Sequence, residues 1–428
     1  MTLIILSSFL LVFTACGLNF AFGVYQALYE TYVPLPTSPF YRATPASIDL
    51  IGTLAISMMT IFAPFASAWI KSYSPRTITL LGGVIFALAN VLASFGRRLW
   101  HFQLFQGFLL GVGTCLTYIP AVTVAPGWLE KNRALGMGIV LSGTGVGGVA
   151  WAPILSALNG SIGFRNSLRL TGGVSFIIIT ASALLLEWDP DSARRNAVEL
   201  GSTHRTWTNR LGRVPLVDWQ VARSRKFLAQ ALGGFLQAAA YYTPVYFFAS
   251  YARTLGYSSA SGANFISLSN ASNAIGKVII GYLADRVGRL NALFGCTLIS
   301  AISALALWTP STLSEGGGGG RALFIAFAIL YGLFASAYVS LFPAVLIELF
   351  GIQHFASVNG LLYMLRGFAS LVGTPVAGAL VRSGSEGGVP GSYEKTSVMV
   401  GVLFCGASLA VLWARWEAGL RGQFRWKM

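Results

Sequence analysis

The stretch SNASNAIGKVIIGYLADRVGRL, Ser269–Leu290, sets a membrane-like segment directly against a charged turn. Its first part is apolar enough to cross a bilayer, yet it contains Lys277. Its second part, Asp285 to Arg289, is short, charged and contains a glycine. Lys277 precedes Asp285 by about 12 Å along a helix, at a rise of 1.5 Å per residue. The stretch therefore predicts a membrane helix that carries a cation at depth and ends at a charged turn on the membrane surface.

The composition extends this interpretation to the whole chain. Of 428 residues, 55% are hydrophobic and only 10% are charged, whereas soluble domains carry about 25% charged residues. A spanning helix needs about 20 apolar residues. Runs of that kind can be traced at about 3–27, 47–70, 77–95, 101–126, 134–160, 166–187, 226–252, 260–283, 291–309, 321–347, 356–382 and 395–416. We therefore predict an all-α polytopic membrane protein with 12 transmembrane helices.

These runs fall into two groups of six. A polar stretch that is rich in charge and poor in apolar periodicity separates them. We predict an N-terminal six-helix bundle over 1–187, a cytoplasmic central loop over 188–225, and a C-terminal six-helix bundle with a short cytoplasmic tail over 226–428. The central loop is long enough to include a short amphipathic helix on the membrane surface.

The basic residues orient the chain. The formal net charge is +15, which also suits nucleic acid, but Lys and Arg that flank spanning helices on the cytoplasmic side explain it better. With both termini in the cytoplasm, 18 of the 29 Lys and Arg residues lie on the inner side and nine on the outer side. We expect an integral membrane protein of the plasma membrane, in contact with lipid and without a nucleic-acid partner.

The residue types that perform catalysis or bind metals are scattered. The four cysteines lie singly within apolar runs, and the three histidines are far apart in the sequence. This pattern gives no metal-ligand spacing and no nucleophile–base pair, so we expect neither an enzyme nor a bound cofactor. The sequon Asn159-Gly160-Ser161 falls in a predicted outside loop, which makes Asn159 a weak glycosylation candidate.

Two cations, Lys277 and Arg366, are the only charges deep within predicted spans. An ionisable group at that depth is costly and marks a functional site by default. Because no carboxylate falls in the middle of a span, an anionic substrate is one possible partner, and carbonyl or hydroxyl groups of the bundle are the other. Asn273 lies one turn before Lys277 on the same helix face, where it either orients a substrate or bonds to a neighbouring helix.

Further polar and small residues fall within the spans. Asn19, Tyr25 and Gln26 lie in the first span, where interior placement is expected and substrate contact is open. Tyr363 lies near Arg366 and is either a cavity wall or a packing residue. In the fifth span, the pair Gly143 and Gly147 has the small-xxx-small spacing of close helix packing.

Three stretches resemble the major facilitator superfamily, and within it the monocarboxylate-transporter-like family of fungi. They are GYLADRVGR at Gly281–Arg289, WLEKNRALGMGIVLSGTGVGG at Trp128–Gly148, and NGLLYMLRGFASLVGTPVAGAL at Asn359–Leu380. The resemblance implies two pseudo-symmetric six-helix bundles that rock about a central site. It also implies a cytoplasmic gate made by Asp285, which faces the start of helix 11 near Ala356, together with Arg286 and Arg289.

The resemblance also bears on the substrate. Lys277 aligns with the arginine that binds the substrate carboxylate in animal monocarboxylate transporters, and Asn273 falls where those proteins have an aspartate. Their helix 1 lysine has no counterpart here, where the sequence reads Phe22-Gly23-Val24-Tyr25. Proton coupling is therefore left open.

We expect a monomeric secondary-active transporter of a small organic solute, such as a monocarboxylate or another organic anion, that works by alternating access. An efflux pump for a fungal secondary metabolite is the alternative. A nutrient sensor that binds without transporting is a third.

Overall fold

The structure is a computed structural model. It describes residues 2–129, 132–201, 219–314, 318–381 and 389–419. Over these residues the chain is almost entirely helical and contains no strand. The predicted central loop is described in part, since 202–218 lie outside these residues, as does the end of the predicted tail at 420–428.

Six helices make up the N-terminal half. Their bounds are Thr2–Phe20 continued by Phe22–Thr31 (α1), Pro45–Ile61 continued by Ala63–Ser72 (α2), Pro75–Ser94 (α3), Leu99–Trp128 (α4), and the run Arg133–Leu185. Gly163 interrupts that run with a φ of 77°, which divides it into α5 (133–162) and α6 (164–185).

Six more helices make up the C-terminal half. They are Arg225–Thr254 (α7), Ser259–Val287 (α8), Arg289–Leu313 (α9), Gly318–Phe350 (α10), Ile352–Leu380 (α11) and Glu394–Gly419 (α12). Between the halves, the described part of the polar stretch contains the helix Pro190–Gly201, which we call the linker helix.

Within the described residues, seven helical runs are long and apolar enough to cross a membrane, and the two parts of α2, bent by 44°, make an eighth. Two of these runs, Arg133–Leu185 and Gly318–Leu380, contain two spans each. Either run is more than twice as long as the roughly 20 residues that cross a hydrocarbon core of about 30 Å. With α7 and α8, the prediction of 12 transmembrane helices is confirmed.

The two halves pair their helices in the same way. In the first half α1 packs on α5, α2 on α4, and α3 on α6; in the second half α7 packs on α11, α8 on α10, and α9 on α12. Each helix of the first half thus has a counterpart six positions later. The prediction of two pseudo-symmetric six-helix bundles is confirmed.

Two seams join the bundles: α5 against α8, and α2 against α11. Glycines bring the backbones together at both. A Cβ atom on Gly145 of α5 would lie 2.5 Å from the Asn270 carbonyl oxygen of α8, and one on Gly367 of α11 would lie 2.6 Å from the Ile61 side chain of α2. Real Cβ atoms do not approach other atoms this closely, so only glycine permits the observed spacing.

The ends of the helices define two faces of the molecule. We call the face that carries the linker helix, the α4–α5 turn and the α8–α9 turn the linker face, and the other the opposite face. The α5–α6 turn on the opposite face corrects one prediction. Asn159 lies inside α5 because the helix continues to Gly163, and both polar atoms of its side-chain amide are buried. The sequon is therefore not in an accessible loop.

Candidate functional site

Two small cavities lie between the bundles, and the ring of Tyr242 lines both. The Arg366 cavity has a volume of about 20 Å³ and is lined by Met59, Thr60, Tyr118, Ala238, Tyr242, Val339, Tyr363, Arg366 and Ser370. The second, which we call the Gln26 cavity, has a volume of about 30 Å³ and is lined by Asn19, Phe20, Gly23, Gln26, Ile56, Tyr242, Val245, Tyr246 and Ile266. Both bundles contribute walls to each cavity.

Arg366 is held inside the C-terminal bundle by aromatic rings. Its guanidinium carbon lies 5.2 Å from the ring centre of Tyr338, 4.9 Å from that of Phe342 and 5.7 Å from that of Tyr363. The side chain is only 6% exposed. Its Nη1 atom is buried and has no hydrogen-bond partner among the described residues.

These rings hold the guanidinium in place but leave its Nη1 atom without a hydrogen bond among the described residues. Cation–π contacts stabilise the charge by about 0.5–2 kcal/mol each at most. They do not replace a hydrogen bond to a buried donor, whose absence costs about 1–3 kcal/mol or more for a charged group. The site can therefore accept an anion, and no carboxylate is among the residues that line the cavity.

Tyr363 links the two bundles across this cavity. Its hydroxyl lies 3.1 Å from the hydroxyl of Tyr118 on α4, and the two rings meet edge to face. Either hydroxyl can donate to the other, so the hydroxyl proton that is not used in this bond is available to another acceptor. The tyrosine pair and Arg366 thus place hydroxyl and guanidinium donors on the same cavity wall.

Lys277 is placed differently from Arg366. Its ammonium donates to the Leu141 carbonyl oxygen at 3.0 Å and to the Thr144 hydroxyl, both on α5. The residue is 1% exposed and is not among the residues that line the two interface cavities. In this conformation the cation therefore bridges the α5–α8 seam instead of facing a cavity.

The remaining predicted polar residues also have partners within the helices. Asn273 donates to the Tyr241 hydroxyl on α7 at 3.1 Å, not to Lys277. Asn19 donates to the Thr114 hydroxyl at 3.2 Å and still lines the Gln26 cavity.

Tyr25 and Gln26 point to different parts of the bundle. The Tyr25 hydroxyl lies 3.2 Å from the Ser167 hydroxyl on α6, inside the N-terminal bundle. Gln26 lines the interface cavity named after it, and its amide donates to Glu30 at 3.4 Å. Of the polar residues predicted on the first helix, Asn19 and Gln26 therefore reach the interface between the bundles.

The charged turn after α8 lies on the linker face, and it contacts a different helix from the one predicted. The Asp285 carboxylate accepts hydrogen bonds from the backbone N–H groups of Ala134 at 3.2 Å and Leu135 at 2.9 Å. These are the first residues of α5, so the expectation that Asp285 faces the start of α11 near Ala356 is wrong. The physical reason is that α8 packs along α5, whose free N–H groups and positive dipole end attract the carboxylate.

Arg286 and Arg289, the two arginines predicted to belong to the cytoplasmic gate, differ in position. Arg289 donates to the Asp285 carboxylate at 2.9 Å and lies 3.6 Å from Glu348 at the end of α10. Arg286 stacks over the Tyr282 ring at 4.3 Å, within its own helix. Arg289 thus shares the carboxylate that spans the seam.

Gly143 and Gly147 lie where α5 meets α1. A Cβ atom on Gly143 would be 2.7 Å from the Phe9 carbonyl oxygen, and one on Gly147 would be 2.8 Å from the Gly17 Cα atom. Their neighbour Gly145 faces α8 instead. The glycine-rich helix therefore uses two faces, one within its bundle and one across the seam.

Sequence reasoning missed the N-terminal half of the cavity wall. Met59, Thr60 and Tyr118 line the Arg366 cavity, but none carries a charge or belongs to a motif. Tyr118 had one usable signal, since it is a tyrosine in the middle of a span and far from the interface belts. Of the described residues, no group of three or more His, Cys, Asp or Glu side chains could hold a metal ion.

Comparisons with known proteins agree with this architecture. The family model "Major Facilitator Superfamily" matches residues 4–317 and 231–419. The chain is 27% identical over 415 residues to "Agnestins efflux protein AgnL12" of Paecilomyces divaricatus, covering 96% of this chain and 87% of that protein. It is 29% identical over 342 residues to human "Monocarboxylate transporter 11", covering 77% and 68%.

A solved structure shares the fold. The human organic anion transporter MFSD10 superposes with a TM-score of 0.66 at 16% identity, covering 96% of this chain and 99% of that one. The family match agrees with the helix count, the pseudo-symmetric pairing of helices and the relatives. We conclude that this chain belongs to the Major Facilitator Superfamily and is a membrane transporter similar to fungal efflux proteins and monocarboxylate transporters.

Proposed function

We propose that the protein transports a small organic anion with a flat, apolar body, and that Arg366 binds the anionic group. One observation carries this proposal: a buried guanidinium with an unpartnered Nη1 atom lines a cavity between the bundles. A guanidinium presents paired donors in a plane, which matches a carboxylate better than a point charge does. A carboxylate on the substrate would supply the acceptor that Nη1 lacks among the described residues.

The walls of the cavity support the apolar part of this proposal. Tyr118, Tyr242 and Tyr363 line it together with Met59 and Val339. Aromatic rings favour stacking against flat partners, while the tyrosine hydroxyls can bond to a substrate oxygen. Aromatic or conjugated carboxylic acids fit this combination.

The size of the cavity supports alternating access. A volume of about 20 Å³ admits roughly one or two water molecules, so the bundles must separate before an organic solute can bind. We infer that the segments 1–187 and 226–428 rock about Arg366 and Tyr242, with the linker face in the cytoplasm of a plasma-membrane protein whose termini both lie inside. The excess of Lys and Arg on that face supports this orientation.

Export of the anion is the direction we propose, because the relative from Paecilomyces divaricatus is named an efflux protein. Uptake of a monocarboxylate is the second candidate, since human monocarboxylate transporter 11 is similar over 77% of this chain. Proton coupling is compatible with both. Lys277 in this proposal holds the α5–α8 seam, and Asn273 supports Tyr241 behind the cavity wall.

The test is counterflow of radiolabelled aromatic carboxylates in proteoliposomes, comparing the wild type with Arg366→Gln. Loss of a charge-assisted hydrogen bond costs about 1.5–3 kcal/mol, so we expect affinity to fall by about 10- to 100-fold. Arg169→Gln is a matched control, because Arg169 also stacks on a ring, that of Phe95 at 4.6 Å, but lies away from both cavities. Equal transport by Arg366→Gln would refute the role of Arg366, and saturable binding without flux would indicate a sensor instead.

A further inference from the structure

The two cavities between the bundles differ in chemistry, and the difference bears on the shape of the substrate. The Arg366 cavity offers a guanidinium. Among the described residues that line the Gln26 cavity, by contrast, none is charged. Its polar groups belong to Asn19, Gln26, Tyr242 and Tyr246. Because the Tyr242 ring lines both cavities, a solute bound at Arg366 has a second, neutral polar environment on the other side of this ring.

The two polar environments lie about one helical turn apart. Tyr246 follows Tyr242 on the same face of α7, one turn or about 6 Å further along the axis. The two rings stack with 6.3 Å between their centroids, and the Phe20 ring of α1 lies 6.2 Å from that of Tyr242. Aromatic surfaces from both bundles thus connect the cavities. A flat solute body that packs on these rings would hold one polar group at Arg366 and another beside Tyr246.

The Gln26 cavity contains an unused donor and an available acceptor. The Tyr246 hydroxyl is buried and has no hydrogen-bond partner among the described residues, which is costly for a polar group. The Gln26 amide nitrogen donates to Glu30, which leaves the Gln26 carbonyl oxygen for a ligand. A hydroxyl group both donates and accepts. Because Tyr246 and Gln26 line one cavity of about 30 Å³, a single hydroxyl on a substrate can bond to both.

Two carboxyl groups near the Gln26 cavity disfavour a second anion there. Glu30 accepts the hydrogen bond from Gln26, and Asp49 of α2 interacts electrostatically with Tyr246. Neither carboxyl group is among the residues that line the cavity. Like charges repel more strongly in a protein interior than in water. This end of the site is therefore suited to a neutral hydroxyl and not to a carboxylate.

We propose that the transported anion carries a hydroxyl group at the end of its flat body opposite the carboxylate, and that Tyr246 and Gln26 bind this hydroxyl. The inference rests on the proposed function, in which Arg366 binds the carboxylate. A site built to hydrogen-bond a hydroxyl discriminates against the analogue that lacks it, because the polar groups of the site are then left unpaired. Tyr246 and Gln26 are thus specificity-determining residues, whereas Arg366 binds the charge.

The test measures the binding of four rigid acids to the purified full-length protein by isothermal titration calorimetry. The reference, 2-naphthoate, has a flat apolar body and one carboxylate. A hydroxyl is added at the far end in 6-hydroxy-2-naphthoate and beside the carboxylate in 3-hydroxy-2-naphthoate, and 2,6-naphthalenedicarboxylate has a second anion at the far end. We expect the 6-hydroxy acid to bind about fivefold more tightly than the reference. The 3-hydroxy acid should show no gain, and the dicarboxylate should bind more weakly.

Two conservative variants remove the groups that bind the hydroxyl. In Tyr246→Phe and in Gln26→Met, the gain from the far hydroxyl should fall below about twofold, while the affinity for 2-naphthoate stays within about twofold of the wild type. Tyr251→Phe is the matched control on the same helix. It removes a hydroxyl that lies 2.7 Å from the Ser311 hydroxyl, and Tyr251 lines neither cavity. This control should keep the full gain.

The outcomes separate this inference from the proposed function. The inference fails if the 6-hydroxy acid binds no more tightly than 2-naphthoate, or if both variants keep the full gain. In either case, 2-naphthoate binding that is weakened in Arg366→Gln would leave the proposed function standing. If 2-naphthoate does not bind the wild type, or binds Arg366→Gln equally well, the proposed function and this inference are both refuted.

Discussion

The α5–α8 seam and the α2–α11 seam occupy related positions, but they are closed by different means. Along α5–α8, Asp285 caps the start of α5, Lys277 bonds to its middle, and Gly145 allows close backbone contact. Along α2–α11, glycines again permit contact, but the N-cap residue of α11 is Gly351, which provides no side-chain cap, and the buried cation Arg366 keeps a nitrogen without a hydrogen-bond partner among the described residues.

This difference shows how a pseudo-symmetric fold divides its tasks. On the α5–α8 seam, the Asp285 and Lys277 side chains of α8 both form hydrogen bonds to groups of α5. That seam is therefore suited to hold the two bundles in register. On the α2–α11 side, Arg366 keeps a nitrogen without a hydrogen-bond partner among the described residues, so that side is suited to bind a ligand. The two buried cations Lys277 and Arg366, which look equivalent in the sequence, therefore differ in whether the described residues satisfy them.

Gly145→Ala should have the largest effect on the α5–α8 seam. The new Cβ atom would lie 2.5 Å from the Asn270 carbonyl oxygen, and forced separation of packed elements costs about 1–3 kcal/mol. We expect a lower melting temperature and reduced transport. Gly160→Ala is the control on the same helix, because a Cβ atom there meets nothing within 4 Å. Equal stability of the two variants would show that the seam tolerates a wider spacing.

Asp285→Asn should open the linker face. The amide keeps the shape of the side chain but loses the charge that accepts two backbone N–H groups and pairs with Arg289. A loss of about 1.5 kcal/mol corresponds to about a tenfold shift from closed to open. Labelling of an engineered cysteine in the Arg366 cavity from the linker face reports this shift. Asp191→Asn, in the exposed first turn of the linker helix, should leave the labelling rate unchanged.

Lys277→Met tests whether the two buried cations, Lys277 and Arg366, have different roles. The variant loses the bonds to Leu141 and Thr144, each of which contributes about 1 kcal/mol. We expect faster labelling from the linker face, with substrate affinity within about threefold of the wild type. Arg366→Gln should show the reverse pattern in the same two assays. A tenfold loss of affinity in Lys277→Met would place that cation at the substrate after all.

Asp49→Asn gives the smallest expected effect on substrate exchange and tests whether transport is coupled to protons. Asp49 lies on α2, and its Oδ1 atom is buried without a hydrogen-bond partner among the described residues. If it carries the coupled proton, the variant should still exchange substrate but no longer respond to an imposed pH gradient. Glu394→Gln, at the start of α12, is the control. A normal response in Asp49→Asn would exclude Asp49 as the carrier.

Much of the fold could be predicted because a bilayer imposes a simple rule on the sequence. Each crossing needs about 20 apolar residues, so the twelve runs and their division into six and six can be read directly. The depth of Lys277 and Arg366 follows from the same spacing. The loop around Asn159 was the exception, because a single glycine at Gly163 turns the chain with almost no polar connection.

The sequence by itself determined the membrane class, the two bundles, and the two cations and one carboxylate that most needed partners. Only the tertiary structure decided the partners: α5 for Asp285 and Lys277, and an aromatic enclosure with a free nitrogen for Arg366. The physical reason is how far apart in the sequence the interacting groups lie. Apolar periodicity is local along the chain, whereas the groups of α5 that bind Asp285 and Lys277 lie more than a hundred residues away, and two of the rings around Arg366 come from the neighbouring helix α10. These approaches depend on how the helices and both bundles pack.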